Sequence, residues 1–303
     1  MSPNAKRWKL PEPLPPSYQD RFPGVPLLLL RLMYNRGITS PQAVRDFLGE
    51  PVLGASPFRL PGMHQAVDRL RRAIRAGEKI AVYGDFDADG VSATAVLTDT
   101  LCALGADVCP YIPHRVDEGY GLNLDALRRL YRQGVRLVVT VDCGIRSVAE
   151  VEAAQRGMDL IITDHHSVGP ELPPAVAIIN PKIPESTYPF PQLSGVGVAF
   201  KLAHALLLAQ EKTAGRSPLM AEDLLDLVAL GTVADIVPLL DENRHLVRLG
   251  LERLNKPQRP GLEALIAQAG VRPGTITATT IGYVLGPRLH AAGRLDDEIT
   301  SYH

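Results

Sequence analysis

Three short apolar runs, each ending abruptly in acidic or imidazole residues, constrain this chain more than any other feature. Ile80–Gly84 runs into Asp85-Phe86-Asp87-Ala88-Asp89-Gly90, Leu137–Val141 into Asp142-Cys143-Gly144, and Leu160–Thr163 into Asp164-His165-His166. Short apolar, β-branched runs bounded by turn formers read as buried strands. Helical spacing lies between them: Val91–Ala103, closed by Gly105; Leu124–Arg132; and Ser147–Gln155, with Ser147 as N-cap and Glu150 as its capping-box partner. Further strands are expected at Val108–Ile112 and Val176–Ile179. Such alternation predicts an α/β fold built on a doubly wound, mostly parallel sheet covered by helices. From Gly195 onward the pattern turns almost wholly helical, so an α-rich segment follows the sheet.

In an open α/β sheet, ligands bind at the carboxyl ends of the strands. The fold would therefore gather Asp85, Asp87, Asp89, Asp142, Asp164, His165 and His166 at one edge. So many carboxylates side by side are costly unless cations neutralise them or protons are taken up. Carboxylates with one or two imidazoles and no thiolate suit Mn²⁺ or Mg²⁺ better than structural Zn²⁺. Several carboxylates, one of them able to bridge, suggest two ions about 3.5–4 Å apart. Such a pair generates hydroxide, holds non-bridging phosphate oxygens and stabilises the leaving oxygen, so the implied reaction is phosphoester hydrolysis. No side-chain nucleophile is needed. Of His165 and His166, one is read as a ligand and the other as facing substrate.

Plainer readings compete with this one at several residues. Asp85-Phe86-Asp87-Ala88-Asp89-Gly90 also opens like a calcium-binding EF-hand loop, but the bidentate glutamate required at its twelfth position is Val96 here. A single aspartate at a strand end is usually a helix cap or turn former; three such ends together, one followed by two histidines, argue for a metal. Cys143 reads as a small packing residue. Gly195 and Gly197 read as letting a helix N-terminus approach the sheet, with phosphate contact the lesser role. Neither GxGxxG nor GxxxxGK[ST] occurs, which leaves nucleoside-triphosphate binding little support.

Over 303 residues, 32 Lys+Arg stand against 33 Asp+Glu, which excludes a generally basic nucleic-acid coat protein but not a nucleic-acid enzyme with a locally basic groove. Three cysteines, Cys102, Cys109 and Cys143, with no CxxC spacing, rule out a disulfide framework or zinc finger and fit a reducing cytoplasm. The apolar run Val25–Leu30 is too short to span a bilayer, so no membrane association is expected. Three regions are read: a proline-rich arm and helical segment over 1–76, an α/β metal-binding core over 77–190, and a helical part over 191–303. Within the first, residues up to about 25 read as irregular, and Leu27–Leu48 as helical with breaks at Gly37 and Pro41. Gln65–Ala76 reads as a helix whose arginines Arg69, Arg71, Arg72 and Arg75 face solvent.

At these residues the sequence resembles the DHH phosphoesterase superfamily and, within it, the RecJ-type single-strand-specific exonucleases. DFDADG is similar to the first motif, VTVDCG to the second, TDHH to the third and LVALGTVADIVPL, which contains Asp235, to the fourth. IPHRVDEGYG, IINPK and GPRLHAAGRL also resemble segments of that group, so the likeness runs from about Glu78 to Asp296. It implies metal ligation by Asp87, Asp89, Asp142, His165 and Asp235, with Asp142 as the bridge and Asp85 a further ligand or a support to one. It makes His166 a contact to the scissile phosphate, and Arg115, Arg288 and Arg294 phosphate-gripping residues. Asp142 and His166 would then be the catalytic pair.

The resemblance implies a hydrolase with two Mn²⁺ or Mg²⁺ ions that shortens single-stranded DNA from its 5′ end to mononucleotides, in DNA repair and recombination. Partners would include a single-strand-binding protein or a helicase. The alternatives are a relative acting on short oligoribonucleotides or cyclic dinucleotides, and a non-catalytic nucleic-acid-binding scaffold. Aromatics at 5% of residues give no base-stacking signature. Two departures stand out. His290 occupies the asparagine place of GPRLNAAGR, and the chain stops at His303, where the resemblance would continue into DHH-associated and oligonucleotide-binding domains. A truncated catalytic core is the expectation, with metal binding retained and nuclease activity in doubt.

Overall fold

A computed structural model describes Lys9, residues 11–115, 118–215, 217–295 and Tyr302, with backbone alone for Pro16, Ala214 and residues 292–295. The chain divides into two units, Met1–Glu50 and Pro51–His303. In the first, the proline-rich stretch contains one turn of helix, α1 (Pro16–Gln19), begun by a proline whose fixed φ suits a helix start. Helices α2 (Leu27–Tyr34) and α3 (Pro41–Leu48) follow. They are separated where Gly37 takes φ 78° and Ser40 caps α3 by accepting from the Ala43 N–H. Tyr18, Phe22, Leu30, Met33, Ile38 and Val44 form the unit's small core.

The second unit opens with α4 (Met63–Ala76) and is built on five parallel strands: β1 (Lys79–Gly84), β2 (Val108–Tyr111), β3 (Val135–Val141), β4 (Asp159–Thr163) and β5 (Ala177–Ile179). Their order is β2-β1-β3-β4-β5, with every neighbouring pair parallel. The connecting helices are α5 (Ala88–Ala103), α6 (Leu124–Arg132) and α7 (Val148–Ala154). Beyond the sheet come α8 (Gly195–Ala214), α9 (Leu225–Ala234), α10 (Asp241–Leu254), α11 (Pro260–Gln268), the single turn α12 (Ala278–Thr280) and α13 (Gly286–Leu295). A π-helical turn, Ile281–Leu285, joins α12 to α13.

Both faces of the sheet are covered, which is why its strands read as continuous apolar runs rather than alternating ones. Ile80, Val82, Val139, Val141 and Ile161 face the core they share with α4, α5 and α8, while Ala81, Tyr83, Val138, Leu160 and Ile162 pack on α6 and α7. The strand order reverses between β1 and β3. Ligand sites in doubly wound sheets fall at that switch point, and Asp85 and Asp142 stand immediately beyond those two strands.

Local chemistry departs from the sequence reading at Ser147 and Arg69, and adds a buried lysine. Ser147 makes no side-chain cap bond, so α7 begins without the expected capping box. Arg69 does not face solvent: it is buried and holds Glu78 and Asp159, each at 2.6 Å. Lys201, in the middle of the apolar helix α8, is fully buried. Its ammonium donates to the carbonyls of Leu53 (2.7 Å) and Ala55 (3.0 Å) and pairs with Glu242, which also accepts from the Tyr188 hydroxyl at 2.8 Å. This ionic knot ties the 53–55 loop to α8 and α10, and its burial makes breaking it costly.

Candidate metal centre

Asp87 ends the β1–α5 turn as the N-cap of α5. Its Oδ1 accepts from the N–H groups of Asp89 (2.8 Å) and Gly90 (3.0 Å). One carboxylate oxygen is spent on the helix and the other is not. Two positions on, Asp89 is buried and accepts from the first N–H groups of α8, Gly195 (2.7 Å) and Val196 (2.9 Å). Asp142 follows β3 with φ 62°, a left-handed conformation that aspartate tolerates better than most side chains. Thr140 steadies the turn by donating to the Cys143 carbonyl at 2.8 Å.

Close approach explains two glycines. A Cβ on Gly195 would overlap the Asp142 carboxylate, and one on Gly231 would sit 2.8 Å from Asp89 Oδ1. Neither helix could pass the acidic cluster with any side chain there. Gly195 therefore does what the sequence suggested, and its N–H serves Asp89 as well.

Asp164 behaves differently from its neighbours. Oδ1 accepts from the N–H of His165 (2.7 Å) and from the N–H (3.0 Å) and ring Nδ1 (2.8 Å) of His166, while Oδ2 accepts from Ile145 N–H at 3.0 Å. Burial alone would raise its pKa, but these bonds hold it below the ordinary carboxylate range. Its lone pairs are committed to orienting the two histidines, and it belongs to none of the groups that can hold an ion.

His165 lies with Nδ1 at 3.1 Å from the Leu193 carbonyl, so Nδ1 carries the proton and Nε2 presents a lone pair. That lone pair points at Asp142 Oδ1 (3.1 Å) and Asp235 Oδ2 (3.7 Å). Burial, followed by the neighbouring His166, lowers the His165 pKa to about 4, so the ring is neutral near pH 7. Asp235 caps the end of α9, and the next residue, Ile236, takes φ 61°. Three groups can each hold an ion, with ligand atoms within 4.8 Å of one another: Asp85, Asp87 and Asp142; Asp89, His165 and Asp235; and Asp142, His165 and His166.

The fit to cations rests on what these atoms lack. Asp85 Oδ1, Asp142 Oδ1, His165 Nε2 and Asp235 Oδ2 are buried and have no hydrogen-bond partner. All four are acceptors, and buried acceptors facing one another without a proton or cation between them are strongly disfavoured. The carboxylates respond by holding protons. Burial and then Asp87 push Asp85 up to about 7 and Asp235 up to about 6. Burial also raises Asp89 and Asp142 well above the ordinary carboxylate range, aided by Asp235 and by Asp89 respectively. The acidic and imidazole groups are positioned to hold metal ions, with oxygen and nitrogen donors of the kind suited to Mn²⁺ or Mg²⁺.

His166 sits at the mouth, partly exposed, its pKa raised first by the Asp164 hydrogen bond. Tyr120 approaches its ring with the hydroxyl 3.4 Å from Nδ1, and Phe86 stands edge-on to Tyr120 at 6.4 Å between centroids. The Arg115 guanidinium lies 4.9 Å over the Phe86 ring, on the rim of the cluster. Arg288 instead donates to the Val284 carbonyl at 2.7 Å and lines a pocket with Asp99 and Arg259; none of its described contacts is with the carboxylates. The Arg294 side chain lies outside the described residues. Phe86 and Tyr120 do not stand out in the sequence, where two aromatics near a carboxylate motif carry no distinctive spacing.

A parallel sheet whose switch point carries this cluster defines the class, and the chain belongs to the DHH family: that family's N-terminal domain matches residues 79–232. Among individual proteins it is similar to the single-stranded-DNA-specific exonuclease RecJ of Bacillus subtilis (strain 168). The two are 48% identical over 278 residues, 91% of this chain and 34% of that protein. A solved structure of exonuclease RecJ bound to manganese matches with TM-score 0.70 and 37% identity over 80% of this chain and 60% of that one. RecJ from Thermus thermophilus in complex with Mn²⁺ matches with TM-score 0.72 and 33% identity over 89% of this chain and 37% of that one. The chain thus spans about a third of the length of its Bacillus relative. Among the described residues, no helix is long and apolar enough to cross a membrane.

Proposed function

We propose that this chain is the catalytic core of a metal-dependent phosphodiesterase that hydrolyses single-stranded DNA from its 5′ end to mononucleotides. The observation that carries the reading is the convergence of buried acceptors without partners: Asp85 Oδ1, Asp142 Oδ1, His165 Nε2 and Asp235 Oδ2. In this reading Asp85, Asp87 and Asp142 hold one ion, and Asp89, His165 and Asp235 hold the other. Asp142, which also belongs to a group with His165 and His166, would be shared by the two ions. Bound Mn²⁺ or Mg²⁺ ions supply Lewis acidity toward a phosphoryl oxygen and lower the pKa of water.

The chain's own residues do the rest. Asp164 keeps the His166 ring oriented through Nδ1 and favours its protonated form, so Nε2 can donate to a non-bridging phosphate oxygen. Leu193 fixes the His165 tautomer, and Asp142 stays in place because Gly195 leaves it room. Arg115 on the rim offers a guanidinium to the next phosphate, while its stacking on Phe86 limits its motion. Work in DNA repair and recombination, in the cytoplasm and beside a single-strand-binding protein or helicase, follows from the same reading. The small-substrate and scaffold alternatives gain no support. The named relatives are single-stranded-DNA-specific exonucleases, and the candidate ligands stand together in this chain.

The test uses purified chain, Mn²⁺ and 5′-labelled single-stranded DNA, with duplex and dinucleotide controls and Asp142→Ala alongside. Release of labelled mononucleotide from the single strand, lost in the variant, is the expected outcome. Cleavage of the dinucleotide alone, or cleavage that survives Asp142→Ala, would refute the proposal.

A further inference from the structure

Helix α5 begins between two candidate ligands, and its first turn is held from an unexpected direction. A helix leaves its first N–H groups without intrahelical partners. Here Asp87 Oδ1 takes those of Asp89 and Gly90, and the Asp87 carbonyl takes that of Val91 at 2.8 Å. The remaining one, on buried Ala88, donates to His290 Nε2 at 3.1 Å, across 202 residues of sequence. Accepting at Nε2 requires that nitrogen to be unprotonated, so a neutral ring carries its proton on Nδ1.

Ala88 lies between Asp87, a member of one group that could hold an ion, and Asp89, a member of another. The peptide gripped by His290 is therefore the one whose position sets both carboxylates at once. One turn earlier, on the same face of α13, a Cβ on Gly286 would lie 3.5 Å from Ala234 Cβ, one residue before Asp235. One short helix thus abuts the elements that carry Asp87, Asp89 and Asp235.

We propose that His290 is a positioning residue for the metal centre: its ring holds the first turn of α5 so that Asp87 and Asp89 keep the spacing two ions require. The inference rests on the metal-dependent reading given above. An asparagine oxygen is two bonds from Cβ, whereas His Nε2 is three, so this chain grips Ala88 with a longer acceptor. Glutamine, with its oxygen also three bonds out, is the substitution that keeps the contact; leucine keeps volume and loses the acceptor.

The experiment compares the unsubstituted chain with His290→Gln and His290→Leu. Affinity for Mn²⁺ alone is read from the electron paramagnetic resonance signal of the free ion, kcat and KM from labelled single-stranded DNA, and Tm from thermal melts. Supports of metal ligands typically account for about 10–100-fold in metal affinity or activity. His290→Leu is expected to weaken Mn²⁺ binding and lower kcat within that range while KM for DNA stays within about twofold; His290→Gln should stay within about threefold of the unsubstituted chain on all counts. Unchanged Mn²⁺ affinity in His290→Leu, or an equal loss in both variants, would overturn the proposal. So would failure of His290→Leu to fold, because the contact would then serve folding and not position. Because Mn²⁺ affinity is measured without DNA, an unsubstituted chain that binds the ion yet cleaves nothing would overturn the functional reading and leave this test standing.

Discussion

Removing metal from this chain should leave a fold that loses stability as pH rises above about 6.5, the reverse of what paired carboxylates usually give. Asp85, Asp89, Asp142 and Asp235 all have folded-state pKa values raised by burial and by one another. The folded chain therefore binds more protons than the unfolded one. A raised carboxylate contributes stability at low pH that is lost as pH climbs through its folded value. His165 acts with the opposite sign, but mainly between its folded value of about 4 and its unfolded value near 6.5. Between pH 6.5 and 8 its opposition fades as the unfolded ring gives up its remaining proton, about 0.4 kcal/mol in all.

Asp85, with its value about 7, loses about 1 kcal/mol across that window, and Asp89 and Asp142 add in the same direction. For a unit of this size each kcal/mol is roughly 2–4 °C in Tm. Differential scanning calorimetry in EDTA should show Tm falling by at least a few degrees from pH 6.5 to 8. With excess Mn²⁺ the trend should reverse, because the ion competes with the same protons and stabilises most where they have left. A flat or rising Tm in EDTA over this window would refute the assignment of these four carboxylates to one buried cluster.

Three substitutions extend the argument. Asp142→Asn removes a buried carboxyl that must take up a proton on folding at neutral pH, so it should raise the metal-free Tm by a few degrees while lowering hydrolysis at least about 100-fold; a lower Tm in EDTA would contradict the electrostatics. Gly195→Ala puts a methyl into the Asp142 carboxylate and should cost more than about tenfold in Mn²⁺ affinity, with circular dichroism unchanged. Lys201→Met leaves buried Glu242 without its cation and should destabilise by about 3–5 kcal/mol in denaturant unfolding; a loss under about 1 kcal/mol would mean the knot holds little.

Much of the site could be read in the sequence because a parallel strand delivers its C-terminal residues to a fixed edge. Asp85, Asp87, Asp89, Asp142 and His165 all follow apolar runs, and the runs alone imply that they meet. Asp235 follows a helix, where an aspartate at the last turn carries no such signal; only the family resemblance pointed to it, and α9 brings it to 3.7 Å from His165. Asp164 shows the limit of position as a guide. It stands at a strand end like the others, yet four hydrogen bonds make it an orienting group.

What the sequence could not carry was long-range pairing. Lys201 sits among apolar residues of α8 with nothing nearby in sequence to announce Glu242 or the carbonyls of Leu53 and Ala55. Arg69 reads as one of four arginines on a helix, but of the four only it is flanked by two carboxylates among the described residues. The bond from Ala88 to His290 closes a loop too long for any local rule to foresee.

Two cations held by one shared carboxylate would show themselves in metal content and spin state. The chain, loaded with Mn²⁺ and freed of excess, should retain two manganese ions per molecule by elemental analysis. Their electron paramagnetic resonance spectrum should be that of a magnetically interacting pair, as ions about 3.5–4 Å apart require. In Asp142→Ala the interaction should vanish. A single ion per chain, or two ions with independent spectra, would contradict the shared carboxylate and the two-ion centre with it.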